Sequence, residues 1–354
     1  MPESGADGGF GGAVDWRLAA RAGARLAPAG PATSRYTAET IVTALEDASV
    51  RAEGPVRDVT GLADGLPVPA AQVVDRVGWI DAAARSMAHL TGTDIDSASR
   101  TLLAGKPAGL QAGAMLAYLS SAILGQYDPF TGDHGTLLLV APNVLQVERT
   151  LKVSPADFRL WVCLHEVTHR VQFSSAPWMG DYMLDSVATL GDSADEPVGE
   201  FVARLSGALR ERRRGNDSEL PPDQRGIIGL IRATQAPPQR EALDRMLVLG
   251  TVLEGHADHV MDAVGPAVVP SVARIRKAFD ARRQRRTNPV QRLLRALLGM
   301  DAKMAQYVRG KKFVDAVVAR VGMERFNTIW TGPDTLPTLD EIDDPDAWIA
   351  RVLG

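Results

Sequence analysis

Two histidines and a glutamate stand close together near the middle of the chain, in the order His165-Glu166-Val167-Thr168-His169. On an α-helix, residues four apart lie on the same face, so both imidazoles can bind one Zn²⁺ ion. Glu166 lies beside them and can act as a general base on a metal-bound water. A five-residue pattern can occur by chance, so the alternative interpretation is an ordinary surface helix that carries this pattern.

The residues before the motif are typical of the start of a helix. Ser154 is a good N-cap, Pro155 fits the first helical position, and Asp157 stands where a capping box carries an acid. We therefore predict a helix that starts near Ser154 and continues through His169.

Several other residues near the motif could also attract a functional interpretation. Cys163 is two residues from His165 and faces away from it on a helix, so a core position is favoured over a ligand role. Trp161 and Phe173 are expected to be core residues. The remaining histidines outside the two clusters, His89 and His134, are expected to be ordinary residues.

A catalytic zinc site needs a third protein ligand besides the two histidines and a water. The segment 253–260 (LEGHADHV) supplies a dense group of candidates on a long predicted helix. Glu254 is the preferred ligand. Asp258, four residues later, shares its face and can accept a hydrogen bond from a ligand histidine. Gly255 would allow another helix or the metal to approach closely.

His256 and His259 are the alternatives to Glu254 as third ligand. They lie about 200° and 140° around the helix from Glu254, so neither can share its direction. One of them could face the site as a hydrogen-bond donor instead. His256, His259 and Tyr307 are therefore the candidates for stabilising an oxyanion.

Apolar periodicity predicts a mainly α protein with a small β-sheet, an α+β fold. Thr136–Val140 (TLLLV) is the clearest strand, whereas residues 52–66 are expected to be loop-like and 125–132 turn-rich. The predicted helices cover residues 15–25, 34–48, 68–90, 97–103, 108–124, 196–214, 226–233, 238–264, 272–286, 289–298 and 303–320, and a short one begins at 345.

The same pattern gives a domain organisation. Residues 1–14 contain five glycines and no signal-peptide pattern, which favours a disordered tail. Residues 15–125 form a helical N-terminal part, and residues 126–354 form the part that carries the motif. We expect the two parts to make one continuous compact unit.

Composition indicates the cellular compartment of the protein and whether it contacts a membrane. The single cysteine excludes an internal disulfide, which suits a reducing compartment. Residues 108–125 are long enough to span a membrane, but they are rich in Ala, Gly and Ser and contain Gln111, so a buried helix is expected. We therefore predict a soluble cytoplasmic protein that does not contact a membrane.

Charge argues against nucleic acid as a partner, because the formal net charge of the 354-residue chain is −4. Residues 271–312 nevertheless hold 13 Lys and Arg against two Asp. This local excess could be a face for nucleic acid or for an acidic partner. A solvated helical face is the preferred interpretation.

Five longer sequence segments resemble those of a known family. They are LLLVAPNVL at 137–145, FRLWVCLHEVTHRVQFSSAPW at 158–178, EGHADHVMD at 254–262, QYDPF at 126–130 and LLGMDAKMAQYVRGKKFVDAV at 297–317. The chain resembles the zincin-like family of actinobacterial and Chloroflexi proteins, which are labelled zinc-dependent metalloproteases or coenzyme F420 biosynthesis-associated proteins. The motif with a distant glutamate is similar to the gluzincin type, although the gap from His169 to Glu254 is longer than in thermolysin-like gluzincins.

The resemblance implies a zincin-like metalloprotease architecture and one Zn²⁺ ion, with a peptide or protein as substrate. His165, His169 and Glu254 would be the metal ligands and Glu166 the general base. The strand Thr136–Val140 would hold an extended substrate along a sheet edge. The alternative function is a zinc-stabilised scaffold or binding protein with little turnover.

Overall fold

A computed structural model describes residues 14–95, 105–191, 232–284 and 300–354, with the side chains of residues 280, 282–284 and 300–307 left out. These residues are mainly α-helical with one small sheet, which confirms the predicted fold class. The predicted helices at 97–103, 196–214 and 289–298 lie outside the described residues. The predicted tail lies outside them except for Val14, and the predicted helix at 226–233 except for its last two residues.

Eleven α-helices of at least nine residues are present in the described parts of the chain. In chain order they are α1 (Trp16–Leu26), α2 (Arg35–Thr60), α3 (Arg76–Leu90), α4 (Lys106–Leu119), α5 (Ala141–Leu151), α6 (Pro155–Ser175), α7 (Trp178–Gly191), α8 (Pro237–Val268), α9 (Val272–Gln284), α10 (Met300–Phe326) and α11 (Pro345–Leu353). Backbone outside the helical region interrupts α8 at Gly265 and α10 at Gly322, both with positive φ.

The described residues group into two compact units. Those of the first lie within Met1–Leu184 and Val260–Arg283, and those of the second lie within Asp185–His259 and Gln284–Gly354. The division predicted from the sequence, with boundaries at residues 14 and 125, stays a prediction.

The sheet of the first unit has three short strands, β1 (Gln72–Val74), β2 (Gly125–Asp128) and β3 (Thr136–Val140). β3 lies in the centre, paired in parallel with β1 and antiparallel with β2. The prediction of β3 as a strand is confirmed. Its predicted role as the sheet edge is wrong, because both sides of β3 are paired. In the described residues, β2 is an edge strand.

Several elements differ from the sequence-based prediction: β2 lies in a segment predicted as turn-rich, and the largest shifts of a helix boundary are in α2 and α3. α2 continues to Thr60 through residues predicted as loop, because Ala52 and Val56 are fully buried along it, and it ends where Gly61 adopts a φ of +64°. α3 begins only at Arg76, where Asp75 accepts the backbone N–H of Gly78 as N-cap.

The glycines of α4 explain its composition. A Cβ atom at Gly109 would lie 2.7 Å from the carbonyl oxygen of Asp15, and one at Gly113 would lie 2.7 Å from that of Ala19. Their four-residue spacing therefore lets α1 pack directly on α4. Leu110 and Met115 are exposed, so the predicted buried helix is buried on one side only. Within the described residues, no helix combines the length and apolarity needed to cross a membrane.

The core of the first unit forms around α6. Phe158, Cys163, Leu164 and Val167 are fully buried there, and α6 packs along α2. This burial places the apolar side of α6 inward and fixes the direction in which the motif residues point.

The second unit is built around the first part of α8, α10 and the C-terminal segment. α8 crosses α10 at two glycines, since a Cβ atom at Gly255 would lie 2.2 Å from the carbonyl carbon of Gly310. The predicted close approach of another helix at Gly255 is therefore confirmed. Phe313, Phe326 and Trp348 are fully buried in this unit, and the ring of Trp348 contacts the rings of both phenylalanines.

Candidate metal centre

The start of α6 is the one predicted from the sequence. The Ser154 hydroxyl accepts the backbone N–H of Asp157 at 3.5 Å, and Pro155 occupies the first helical position. Asp157 does not close a capping box on its own helix, because its carboxylate accepts the backbone N–H of Ser271 at 2.9 Å. The acid therefore ties the helix start to the segment before α9.

The two motif histidines converge on one point. Their Nε2 atoms are 3.3 Å apart, and the rings meet edge to face at 84° with centroids 4.8 Å apart. Two nitrogens bound to one tetrahedral zinc at about 2.0–2.1 Å would be separated by about 3.3–3.4 Å. The spacing of His165 and His169 therefore fits a pair of ligands to a single zinc ion.

Glu254 completes a group that could hold a metal. One ligand atom from each of His165, His169 and Glu254 can be chosen so that all lie within 4.8 Å of one another, and all three residues are half-buried. This group includes Glu254 and neither of the neighbouring histidines. Two imidazoles and a carboxylate are a donor set that zinc accepts in catalytic sites.

Gln172 is a site residue that the sequence interpretation missed. Its side-chain oxygen Oε1 lies 2.9 Å from Nδ1 of His169, and the glutamine side chain is fully buried. An amide oxygen only accepts hydrogen bonds, so Nδ1 of His169 carries the proton and Nε2 keeps its lone pair. The available signal was the three-residue spacing between His169 and Gln172, which places both on one helix face.

Glu166 is 7% exposed and lies against the first residue of β2. A Cβ atom at Gly125 would be 2.6 Å from Cγ of Glu166 and 2.9 Å from its Cδ. Any side chain at position 125 would therefore displace the carboxylate. Sequence reasoning could not identify Gly125, because its contact with Glu166 exists only after β2 has packed on α6.

Charged side chains next to the motif anchor α6 to α2. Arg170 is buried and forms an ion pair with Glu53, which also accepts from Arg57 at 2.8 Å. Arg170 in addition donates to the carbonyl of Pro69 at 2.6 Å. This network holds the helix in place directly after His169.

Cys163 and Trp161 lie in the core, as expected from the sequence. Burial raises the pKa of the Cys163 thiol far above its ordinary value, and the charge of Glu166 raises it further. Only a thiolate binds zinc well, so this thiol is a poor ligand. Phe173 differs from its predicted core position, because it is half-exposed and its ring packs on Tyr127 with centroids 5.6 Å apart.

His256 and His259, the alternatives to Glu254 as third ligand, contact residues outside the candidate metal group. His256 is fully buried between the rings of Phe326 and Trp330, with centroids 5.4 and 5.3 Å away. Nδ1 of His259 lies 2.7 Å from the carboxylate of Asp315. The proposed part of both histidines in oxyanion stabilisation stays a prediction.

Two further candidates are less constrained by the structure. Asp258 is half-buried on α8, and its expected contact with a ligand histidine stays a prediction. Tyr307 lies in α10, but its side chain is outside the described part. The basic segment at 271–312 also falls mostly outside the described side chains, so its partner stays a prediction.

Comparisons with known proteins show a family match and one similar solved structure. A family model described as zincin-like metallopeptidase matches residues 14–349. A crystal structure from Chloroflexus aurantiacus, proposed to be a hydrolase with a novel fold, is similar at 29% identity and a TM-score of 0.64. The similarity covers 96% of this chain and 98% of that one. No curated protein matches the chain.

Proposed function

Because the chain belongs to the zincin-like metallopeptidase family, we propose that it is a zinc-dependent hydrolase that cleaves peptide bonds. The observation that carries this proposal is the group of ligand atoms from His165, His169 and Glu254. The similar Chloroflexus protein, proposed to be a hydrolase, supports the same general chemistry.

His165, His169 and Glu254 would hold the zinc ion, since their donor set and the spacing of the two imidazoles fit it. When bound there, zinc would lower the pKa of a water far below its ordinary value and polarise a carbonyl group. Gln172 keeps His169 in the tautomer that presents Nε2.

Glu166 would act as the general base. Its carboxylate takes a proton from water while the water oxygen adds to the peptide carbonyl carbon. The same carboxyl group then gives that proton to the amide nitrogen as the carbon–nitrogen bond breaks, so that an acid and an amine are released. The position of Glu166 beside Gly125 supports this role, because the packing against β2 fixes the carboxylate next to the sheet edge.

The edge of β2 is the place where an extended substrate would bind. The backbone N–H of Val140 donates to Leu124 at 2.8 Å, so positions 126 and 128 also face β3 in the alternating antiparallel pattern. The N–H and C=O groups of Gly125 and Tyr127 therefore point away from β3, towards the sheet edge. A peptide added there would run past Glu166.

The proposal is tested by separating metal binding from hydrolysis. Glu166→Gln should retain stoichiometric zinc and lose about 10²- to 10⁴-fold in kcat, because only the proton transfer is removed. His165→Ala should lose the metal as well. Zinc content is measured by elemental analysis, and cleavage is measured with a peptide library in the presence and absence of a chelator.

Glu39→Gln serves as the matched control, since Glu39 is exposed on α2 and pairs only with Arg35 in the described contacts. It should behave as wild type in both measurements. Cleavage by Glu166→Gln at the wild-type rate would contradict the general-base role. Stoichiometric zinc without any chelator-sensitive cleavage would favour the scaffold alternative.

A further inference from the structure

Two aromatic rings lie side by side next to the metal-ligand face. The ring centroids of Tyr127 and Phe173 are 5.6 Å apart at an angle of 38°. Phe173 is four residues after His169, so it lies on the same face of α6 one turn further along. Tyr127 is two residues after Gly125, so its side chain projects from the same face of β2. We call this pair the aromatic platform.

The platform is held in a fixed position on the tyrosine side. The Tyr127 hydroxyl donates to the carbonyl oxygen of His134 at 2.8 Å. The chain passes so close that a Cβ atom at Gly135 would lie 2.1 Å from this hydroxyl oxygen. Tyr127 also packs against the core of the first unit. The ring can therefore turn away only if the hydrogen bond to His134 breaks and the chain at Gly135 moves.

The charged groups near the platform form hydrogen bonds or ion pairs with other residues. The carboxylate of Asp128 accepts from Ser86 and Thr131, and Arg170 is paired with Glu53. Tyr127 and Phe173 are both half-buried. The platform thus offers apolar and π contacts rather than an ionic one.

The register of the sheet edge connects the platform to the substrate. In a strand added to β2, the residues opposite Gly125 and Tyr127 would be two apart, and their side chains would project towards α6. The residue opposite Gly125 would lie over Glu166, and the residue opposite Tyr127 would meet both rings.

We propose that the aromatic platform is a specificity subsite for an aromatic or large apolar side chain of an extended peptide, two residues from the residue that pairs with Gly125. This inference rests on the proposed function and adds the class of substrate. It also predicts that recognition persists when hydrolysis is blocked, because the platform takes no part in the proton transfers.

The test measures binding without turnover. Zinc-loaded Glu166→Gln protein is titrated with fluorescein-labelled octapeptides of Ala and Ser that carry a single Phe, moved one position at a time. Phe at one position should bind about tenfold or more tightly than Ala there, which is the effect expected for burying one such side chain. Cleavage-site mapping with wild-type protein then places that position within two residues of the broken bond.

The variants Phe173→Ala and Tyr36→Ala, each combined with Glu166→Gln, assign the preference to the platform. Phe173→Ala should abolish the advantage of Phe over Ala while zinc content stays that of the parent protein. Tyr36 is exposed on α2, so Tyr36→Ala should keep the advantage. These comparisons are internal to each protein and therefore do not depend on its absolute affinity.

The outcomes separate this inference from the proposed function. A flat positional profile, or a Phe preference that survives in Phe173→Ala, would overturn the subsite even if the wild-type protein cleaves peptides. Absence of peptide binding by zinc-loaded protein would overturn it too. Loss of zinc from His165→Ala together with Glu166-dependent cleavage would leave the proposed function intact in each case.

Discussion

At the scale of single residues, the best-defined feature of the site is the ring of His169. Its Nε2 faces Nε2 of His165, and its Nδ1 contacts Gln172. Both ring nitrogens therefore have assigned roles before any metal binds. The acceptor is a neutral amide rather than a carboxylate, so it orients the imidazole without adding negative charge near the ligands.

Gln172→Ala should weaken zinc binding by about 10- to 100-fold, the usual effect of losing a hydrogen-bond partner of a ligand histidine. The fold should persist, because His165 and the rest of α6 keep their packing. Gln172→Glu keeps an acceptor oxygen and should restore most of the affinity. Competition with a chromophoric chelator measures these affinities directly.

A suitable control for this prediction is Gln111→Ala, since Gln111 is exposed on α4. Its zinc affinity should equal that of wild type. Equal affinities for Gln172→Ala and wild type would show that the contact with His169 does not support the metal.

Helical spacing alone predicts the part of the site that lies on α6. His165, Glu166 and His169 are four or fewer residues apart, and local geometry alone puts them together once α6 is recognised. Gln172 follows the same rule and could have been included. Gly125 could not have been identified. A side chain is excluded at this position only by contact with Glu166, which lies 41 positions later in the chain.

At the scale of elements, the strands were the hardest part to predict. β1 is three residues long, and its Val73 and Val74 also fit the apolar spacing of a helix. Their strand conformation is selected by pairing with β3, which lies more than sixty positions away. β3 was recognisable because its four buried apolar residues stand between turn-forming segments.

The C-terminal segment offers a prediction at the element scale. The carboxylate of Glu341 accepts from Arg351 of α11 at 2.7 and 2.8 Å, and from the backbone N–H of Thr338. The hydrogen bond from Arg351 is the main reason why the pKa of Glu341 is lowered, and burial opposes it. An acid with a lowered folded-state pKa stabilises the fold fully above its unfolded pKa of about 4.3.

Glu341→Gln should therefore be less stable than wild type at pH 7, by about 1 kcal/mol or less because Arg351 is partly exposed. The difference should shrink at acidic pH, as the pH falls through the lowered folded-state pKa and wild-type Glu341 becomes protonated. Chemical denaturation at pH 7 and pH 3 measures both values.

The same substitution at an exposed position controls for loss of a charge. Glu324 is exposed on α10, so Glu324→Gln should change stability little at either pH. A constant deficit of Glu341→Gln from pH 7 to pH 3 would show that its ionisation is not coupled to folding.

At the scale of the whole molecule, the proposed zinc site joins distant parts of the sequence. The first two ligands are four residues apart, but Glu254 follows His169 by 85 positions. A ligand set of this kind exists only in the folded chain, so metal binding and folding are linked. Binding to the folded state alone stabilises it by RT ln(1 + [L]/Kd), about 4 kcal/mol at a thousandfold excess over Kd.

Removal of zinc should therefore lower the thermal midpoint of the wild-type protein by roughly 8–16 °C, given about 2–4 °C per kcal/mol for large domains. The midpoint is measured by differential scanning calorimetry with a chelator and again after zinc is restored. Glu166→Gln keeps all three ligands and should show the same shift. His169→Ala removes one of the two convergent nitrogens, so its midpoint should already be low and respond little to the chelator. Equal midpoints for metal-loaded and metal-free wild type would mean that the three residues do not bind zinc as one site.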